Sequence, residues 1–93
     1  MVVGLLSMEL YIPESGSLKM KRTVLKSIKD KLRRDFNISI AEVGANDLWR
    51  RTLLGISVVS NDRKFANSVL NKIVDRISTN GSVNIITYNI EFL

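Results

Sequence analysis

An α+β sandwich, with a four-stranded antiparallel sheet backed by two helices, is the fold class this sequence predicts. Three observations predict it. Apolar residues recur at the helical period in Ser17–Asn37 and again after Asn61. Four other segments alternate apolar and polar residues, or run apolar, over the length of a strand. The chain has 93 residues, enough for one core between such layers but not for two, so residues 1–93 form a single domain.

The first strand covers Val2 to Ile12. Leu6, Met8, Leu10 and Ile12 alternate with Leu5, Ser7, Glu9 and Tyr11, which sets an apolar face against a mixed one. Pro13-Glu14-Ser15-Gly16 is a turn, and Pro13 ends the ladder because it has no N–H to donate. Ser17 is the expected N-cap of the first helix, which should stop near Asn37, a residue tolerant of left-handed backbone. Its apolar positions Leu18, Leu25, Ile28, Leu32 and Phe36 follow at steps of seven, three, four and four. Ile38 to Val43 reads as the second strand, Gly44-Ala45-Asn46-Asp47 as a hairpin loop, and Arg51 to Ser60 as the third strand. Ser60-Asn61-Asp62 caps a second helix burying Ala66, Val69, Leu70, Ile73 and Ile77, which Asn80-Gly81 ends. Val83 to Phe92 is the last strand. With right-handed crossovers, the order βαββαβ puts the first and third strands at the centre, which is the ferredoxin-like arrangement. The sheet face away from the helices would show Val3, Leu5, Tyr11, Leu53, Val59, Val83 and Ile85. Such a face is too apolar for open water and predicts a homodimer through it, or a protein partner there.

The first helix also carries the chain's charge. Between Leu18 and Asp35 stand eight basic residues and two acidic ones, 8 − 2 = +6, against +5 for the whole chain. Lys19, Arg22, Lys26, Lys29 and Arg33 recur at steps of three and four, forming one cationic stripe beside the buried face. A face that served only solubility would mix signs, because like charges three and four apart repel by roughly 0.2–0.5 kcal/mol per pair. Lys19, Lys21 and Arg22 crowd the first turn, where the helix dipole disfavours cations, and with free N–H groups after Ser17 they suit a phosphate. Trp49, beside Arg50 and Arg51, could stack on a base or anchor a partner; alternatively it closes the end of the core or a dimer seam.

Catalysis is disfavoured. There is no histidine and no cysteine, so the commonest general base, metal ligand and thiol nucleophile are missing. The carboxylates show no metal-ligand spacing, and no catalytic residue, metal site or cofactor is expected. No apolar run approaches a membrane span, and Met1-Val2-Val3-Gly4 lacks the basic opening of a signal peptide, so a cytoplasmic address is expected. Two identities that share the topology also fail. An RNA-recognition motif needs stacking aromatics that Arg51–Val59 lacks, and an acylphosphatase is expected to have an arginine in the loop that here reads Pro13-Glu14-Ser15-Gly16.

Val3-Gly4-Leu5-Leu6, Ser17-Leu18-Lys19-Met20-Lys21-Arg22 and Ala41-Glu42-Val43-Gly44 resemble the YlxP-like bacterial proteins of unknown function. So do Asp47-Leu48-Trp49 and Val58-Val59-Ser60-Asn61-Asp62, and the likeness runs almost the length of the chain. The resemblance implies a ferredoxin-like fold, a cytoplasmic protein and, from the operons such genes share with translation and ribosome-binding factors, a role near RNA or the ribosome. Two departures stand out. Met20 replaces a glutamate that would complete a capping box with Ser17. Ala45-Asn46 replaces a His-Gln pair, so any chemistry that histidine performs in relatives is lost here. The expectation is a dimeric RNA- or ribosome-associated module that binds through its first helix. The alternative is a protein-interaction module whose partner is acidic.

Overall fold

A computed structural model describes residues 1–93. Its elements are β1 (Val2–Tyr11), α1 (Leu18–Asp35), β2 (Ser39–Gly44), β3 (Arg51–Ser60), α2 (Arg63–Ser78) and β4 (Asn84–Phe92). The sheet runs β2-β3-β1-β4 with every neighbouring pair antiparallel, so β1 and β3 are central and the fold is ferredoxin-like. No helix is long and apolar enough to cross a membrane.

The core lies between the helices and one sheet face. Leu6, Met8, Leu10 and Ile12 meet Leu54, Ile56 and Val58 from β3, under Leu25, Ile28 and Leu32 of α1 and Leu70, Ile73 and Ile77 of α2. Gly4 lets α2 approach β1. A Cβ there would lie 3.0 Å from Leu70 Cδ1 and 3.1 Å from Val58 Cγ1.

Both helices end within two residues of expectation, but neither ends in the left-handed turn that Asn37 and Gly81 suggest. α1 stops at Asp35, and Phe36 leaves in extended backbone (φ −134°), its N–H donating to Leu32 O at 2.8 Å. The chain turns there because the Phe36 ring is drawn against the core, beneath the Arg76 guanidinium at 5.1 Å, so Asn37 needs no left-handed turn. α2 stops at Ser78 with Thr79 as its cap, and Gly81 adopts no positive φ either.

The exposed sheet face is less apolar than expected. Val83 is buried and Ile85 packs against the core, not on the open side. Counting back by twos from Phe92 and Ile90 puts both residues on the open face, but β4 contains one extra residue. Glu9 lies opposite Thr87 and Leu10 opposite Ile85, so Ile86 is a bulge that reverses the count. Val3, Leu5, Tyr11, Leu53 and Val59 do lie on the open face, which has apolar groups toward both ends and small or polar ones across its waist. Leu93, Val3 and Val59 form the apolar row; Asn89, Ser7, Gly55 and Ala41 form the waist. A shallow trough of about 280 Å³ lies over the small residues there.

Candidate nucleic-acid interface

α1 packs on the β2 side of the sheet, and Arg33 near its end donates to Ile40 O at 3.0 Å. With Leu25, Ile28 and Leu32 facing inward, helical geometry puts Lys19, Arg22, Lys26, Lys29 and Arg33 on the flank. All are exposed except Lys29, which is half-buried. The stripe runs about 20 Å. One carboxylate answers it: Asp30 accepts from Lys26 Nζ at 2.6 Å and lies 4.0 Å from Arg33. The Lys26 hydrogen bond, aided by the charges of Lys26, Arg33 and Lys29, holds the Asp30 carboxyl below its ordinary range. Lys19, Arg22 and Lys29 have no ion-pair partner in the chain. Five cations against one carboxylate leave the flank strongly positive.

At the start of α1, Ser17 is the cap, and its hydroxyl accepts from Met20 N–H at 3.1 Å. The hydroxyl is thus engaged, while the N–H groups of Leu18 and Lys19 have no partner within the chain. A cavity of about 370 Å³ opens beside this turn, with Ile12, Met20 and Val24 in its wall and Lys19, Gly81 and Ser82 among the polar groups lining it.

Lys21 does not belong to the surface that the sequence suggested. It is 1% exposed. Its ammonium donates to Ala45 O at 2.9 Å and to Asn46 O and Arg51 O at 3.2 Å, and it pairs with Glu42 Oε2 at 2.9 Å. Glu42 in turn accepts from Thr52 Oγ1 at 2.7 Å. A side chain with its charge so occupied has none to offer a phosphate. The sequence held a signal for this: Lys21 stands three after Leu18 and four before Leu25, in the seven-residue gap of the apolar series.

The loop that Lys21 reaches carries the remaining candidates. Trp49 is 55% exposed and Leu48 50%, so Trp49 does not close the core. Arg50 donates from Nε to Ser15 O at 3.2 Å, and Arg51 pairs with Glu9 at 3.3 Å, which commits both in part to the fold. Ala45 starts the loop at φ +59°, the one residue other than glycine with positive φ. No three carboxylates gather where they could share a metal ion.

Residues 3–90 match the family described as protein of unknown function (DUF503). The chain belongs to this family. A relative in Bacillus subtilis (strain 168), described as uncharacterized protein YlxP, is 40% identical over 73 residues, covering 78% of this chain and 79% of its own. Neither description assigns an activity.

Proposed function

We propose that this DUF503 protein is a non-catalytic, cytoplasmic binding module for RNA, free or within the ribosome, with α1 lying along the phosphate backbone. The supporting observation is the cationic flank of Lys19, Arg22, Lys26, Lys29 and Arg33, exposed but for the half-buried Lys29 and opposed by Asp30 alone. A helix that follows phosphates this way binds tightly at low salt and with little sequence preference. The exposed indole of Trp49 adds a surface on which an unpaired base can stack. A second copy is proposed to cover the Leu93–Val3–Val59 end of the open sheet face, which lies on the far side of the sheet from the α1 charges.

The test is titration of fluorescent ribosomal RNA fragments across a salt series, with wild type beside Lys19→Glu/Arg22→Glu/Lys26→Glu. Four to five neutralised phosphates give an expected slope of log K against log salt of about −3 on single strands. The triple variant should lose most of the binding and most of the slope. Flat titrations for both proteins at low salt would exclude RNA. An acidic protein partner would instead be indicated if wild type bound heparin, and the triple variant did not, while neither bound RNA.

A further inference from the structure

The loop from Ala45 to Arg50 has two features that a plain connection between β2 and β3 does not require. Ala45 sits in left-handed backbone that an L side chain rarely adopts, a strain that persists only where neighbours hold it. A fully buried lysine from another element takes the carbonyls at both ends of the loop, Ala45 and Asn46 at one and Arg51 at the other. Stability alone does not explain that lysine. Exchanging Lys21 and Glu42 together for packed apolar groups would continue the ridge of Leu18 and Leu25, and buried ion pairs replaced as a pair often leave a protein as stable or more so. What an ammonium adds is direction: three donors fix the carbonyls of the loop relative to the helix. The product of this arrangement is a knuckle whose outer residues, Leu48 and Trp49, are both at least half exposed. It is anchored at the α1 residue next to Arg22, the second member of the stripe.

We infer that Lys21 is a positioning residue, clamping the Ala45–Arg50 knuckle to α1 so that Trp49 is held out to stack an unpaired base of RNA whose phosphates lie on the stripe. The inference rests on the RNA reading above, and it makes single-stranded RNA the preferred partner. Lys21 contributes geometry and no charge to the ligand.

Trp49 is the only tryptophan, so acrylamide quenching of its emission reports the knuckle directly. The binding probe is a labelled twelve-nucleotide oligouridine, with a duplex RNA of equal length beside it. Lys21→Met, checked for folding by far-ultraviolet circular dichroism, should raise quenching and weaken oligouridine binding roughly tenfold, the scale of one lost base stack. Trp49→Ala should weaken it equally, and the double variant no further. The salt slope should stay at the wild-type value for Lys21→Met and fall for Lys26→Ala, since Lys26 alone of the two meets phosphate. Wild-type quenching and affinity in a folded Lys21→Met protein would overturn the inference, as would a slope reduced like that of Lys26→Ala. Should Lys21→Met not fold, Glu42→Gln removes one charge of the cage while leaving an oxygen for Lys21 and Thr52. Increased quenching without lost affinity in that variant overturns the inference. If wild type binds no oligouridine at low salt, the RNA reading fails, and the quenching still shows whether Lys21 holds the knuckle.

Discussion

Single residues decide more of this surface than composition does. Ala45 is held at φ +59°, where a Cβ costs on the order of 1–2 kcal/mol and glycine pays no such penalty. After the extra chain entropy glycine loses on folding, Ala45→Gly is expected to stabilise the protein by about 0.5 kcal/mol, read from the urea midpoint. Gly4 gives the opposite result. A methyl group there would sit 3.0 Å from Leu70 Cδ1 and 3.1 Å from Val58 Cγ1, so Gly4→Ala makes these packed side chains give way and should cost about 1–3 kcal/mol in the same measurement. Of these environments only part was legible in the sequence. The place of Lys21 in the apolar series could be counted from Leu18 and Leu25, but what its ammonium would meet could not, because the acceptors come from residues 21 to 30 positions away. The positive φ of Ala45 left no trace in residue type, since alanine carries no preference for it.

At the scale of the element, periodicity was a good guide wherever the ladder was regular. Both helices and β1 and β3 fall within a residue or two of where spacing put them. β4 misled because a single bulge residue, Ile86, reverses the side-to-side count, and nothing in Asn84-Ile85-Ile86-Thr87 marks which residue is extra. The α1 C-terminus misled because the burial of Phe36, a tertiary effect, overrode the turn preference of Asn37. The charges of α1 carry a pH dependence of known sign. Arg34 and, across to α2, Arg76 hydrogen-bond Asp35 and hold its carboxyl below the ordinary value, as Lys26 does for Asp30. A carboxylate with a lowered folded pKa stabilises above its unfolded pKa, near 3.8, and that contribution is lost as pH falls through the folded value. Denaturation midpoints of wild type should therefore fall between pH 5 and pH 3. Asp30→Asn/Asp35→Asn should start lower at pH 6 and lose less over the same interval. Equal losses in the two proteins would show that these pairs do not carry the acid sensitivity.

For the whole molecule, the sheet separates two surfaces of different character. The helix side carries the +6 of Leu18–Asp35. The open side holds a balanced Glu9–Arg51 pair beside Tyr11 and Leu53 at one end and Val3, Val59 and Leu93 at the other, with Val59 63% and Leu93 73% exposed. Two copies meeting through their open faces therefore bury apolar side chains without bringing the two cationic helices together. The waist of small or polar residues, Asn89, Ser7, Gly55 and Ala41, and the return of Val83 and Ile85 to the core, limit the contact to the end with Val3, Val59 and Leu93. A contact of that size forms a dimer that dissociates on dilution, since small apolar patches fall short of what permanent interfaces bury. Sedimentation velocity from low to high micromolar concentration should show a monomer giving way to a dimer. Val59→Lys, which places a charge in the apolar row at its β3 end, should hold the protein monomeric throughout while leaving its denaturation midpoint within about 0.5 kcal/mol of wild type. Thr87→Lys, on the same face but away from that row, should dimerise normally. If Val59→Lys still dimerises while Tyr88→Lys does not, the copies meet along the open edge of β4, where Ile86 and Tyr88 are also exposed, and the eight strands form one continuous sheet. In that arrangement both α1 helices would lie on the same side of the assembly, and a single RNA could engage both stripes. The face-to-face dimer sends them to opposite sides, so the oligomer that forms also decides whether one RNA strand or two can be bound at once.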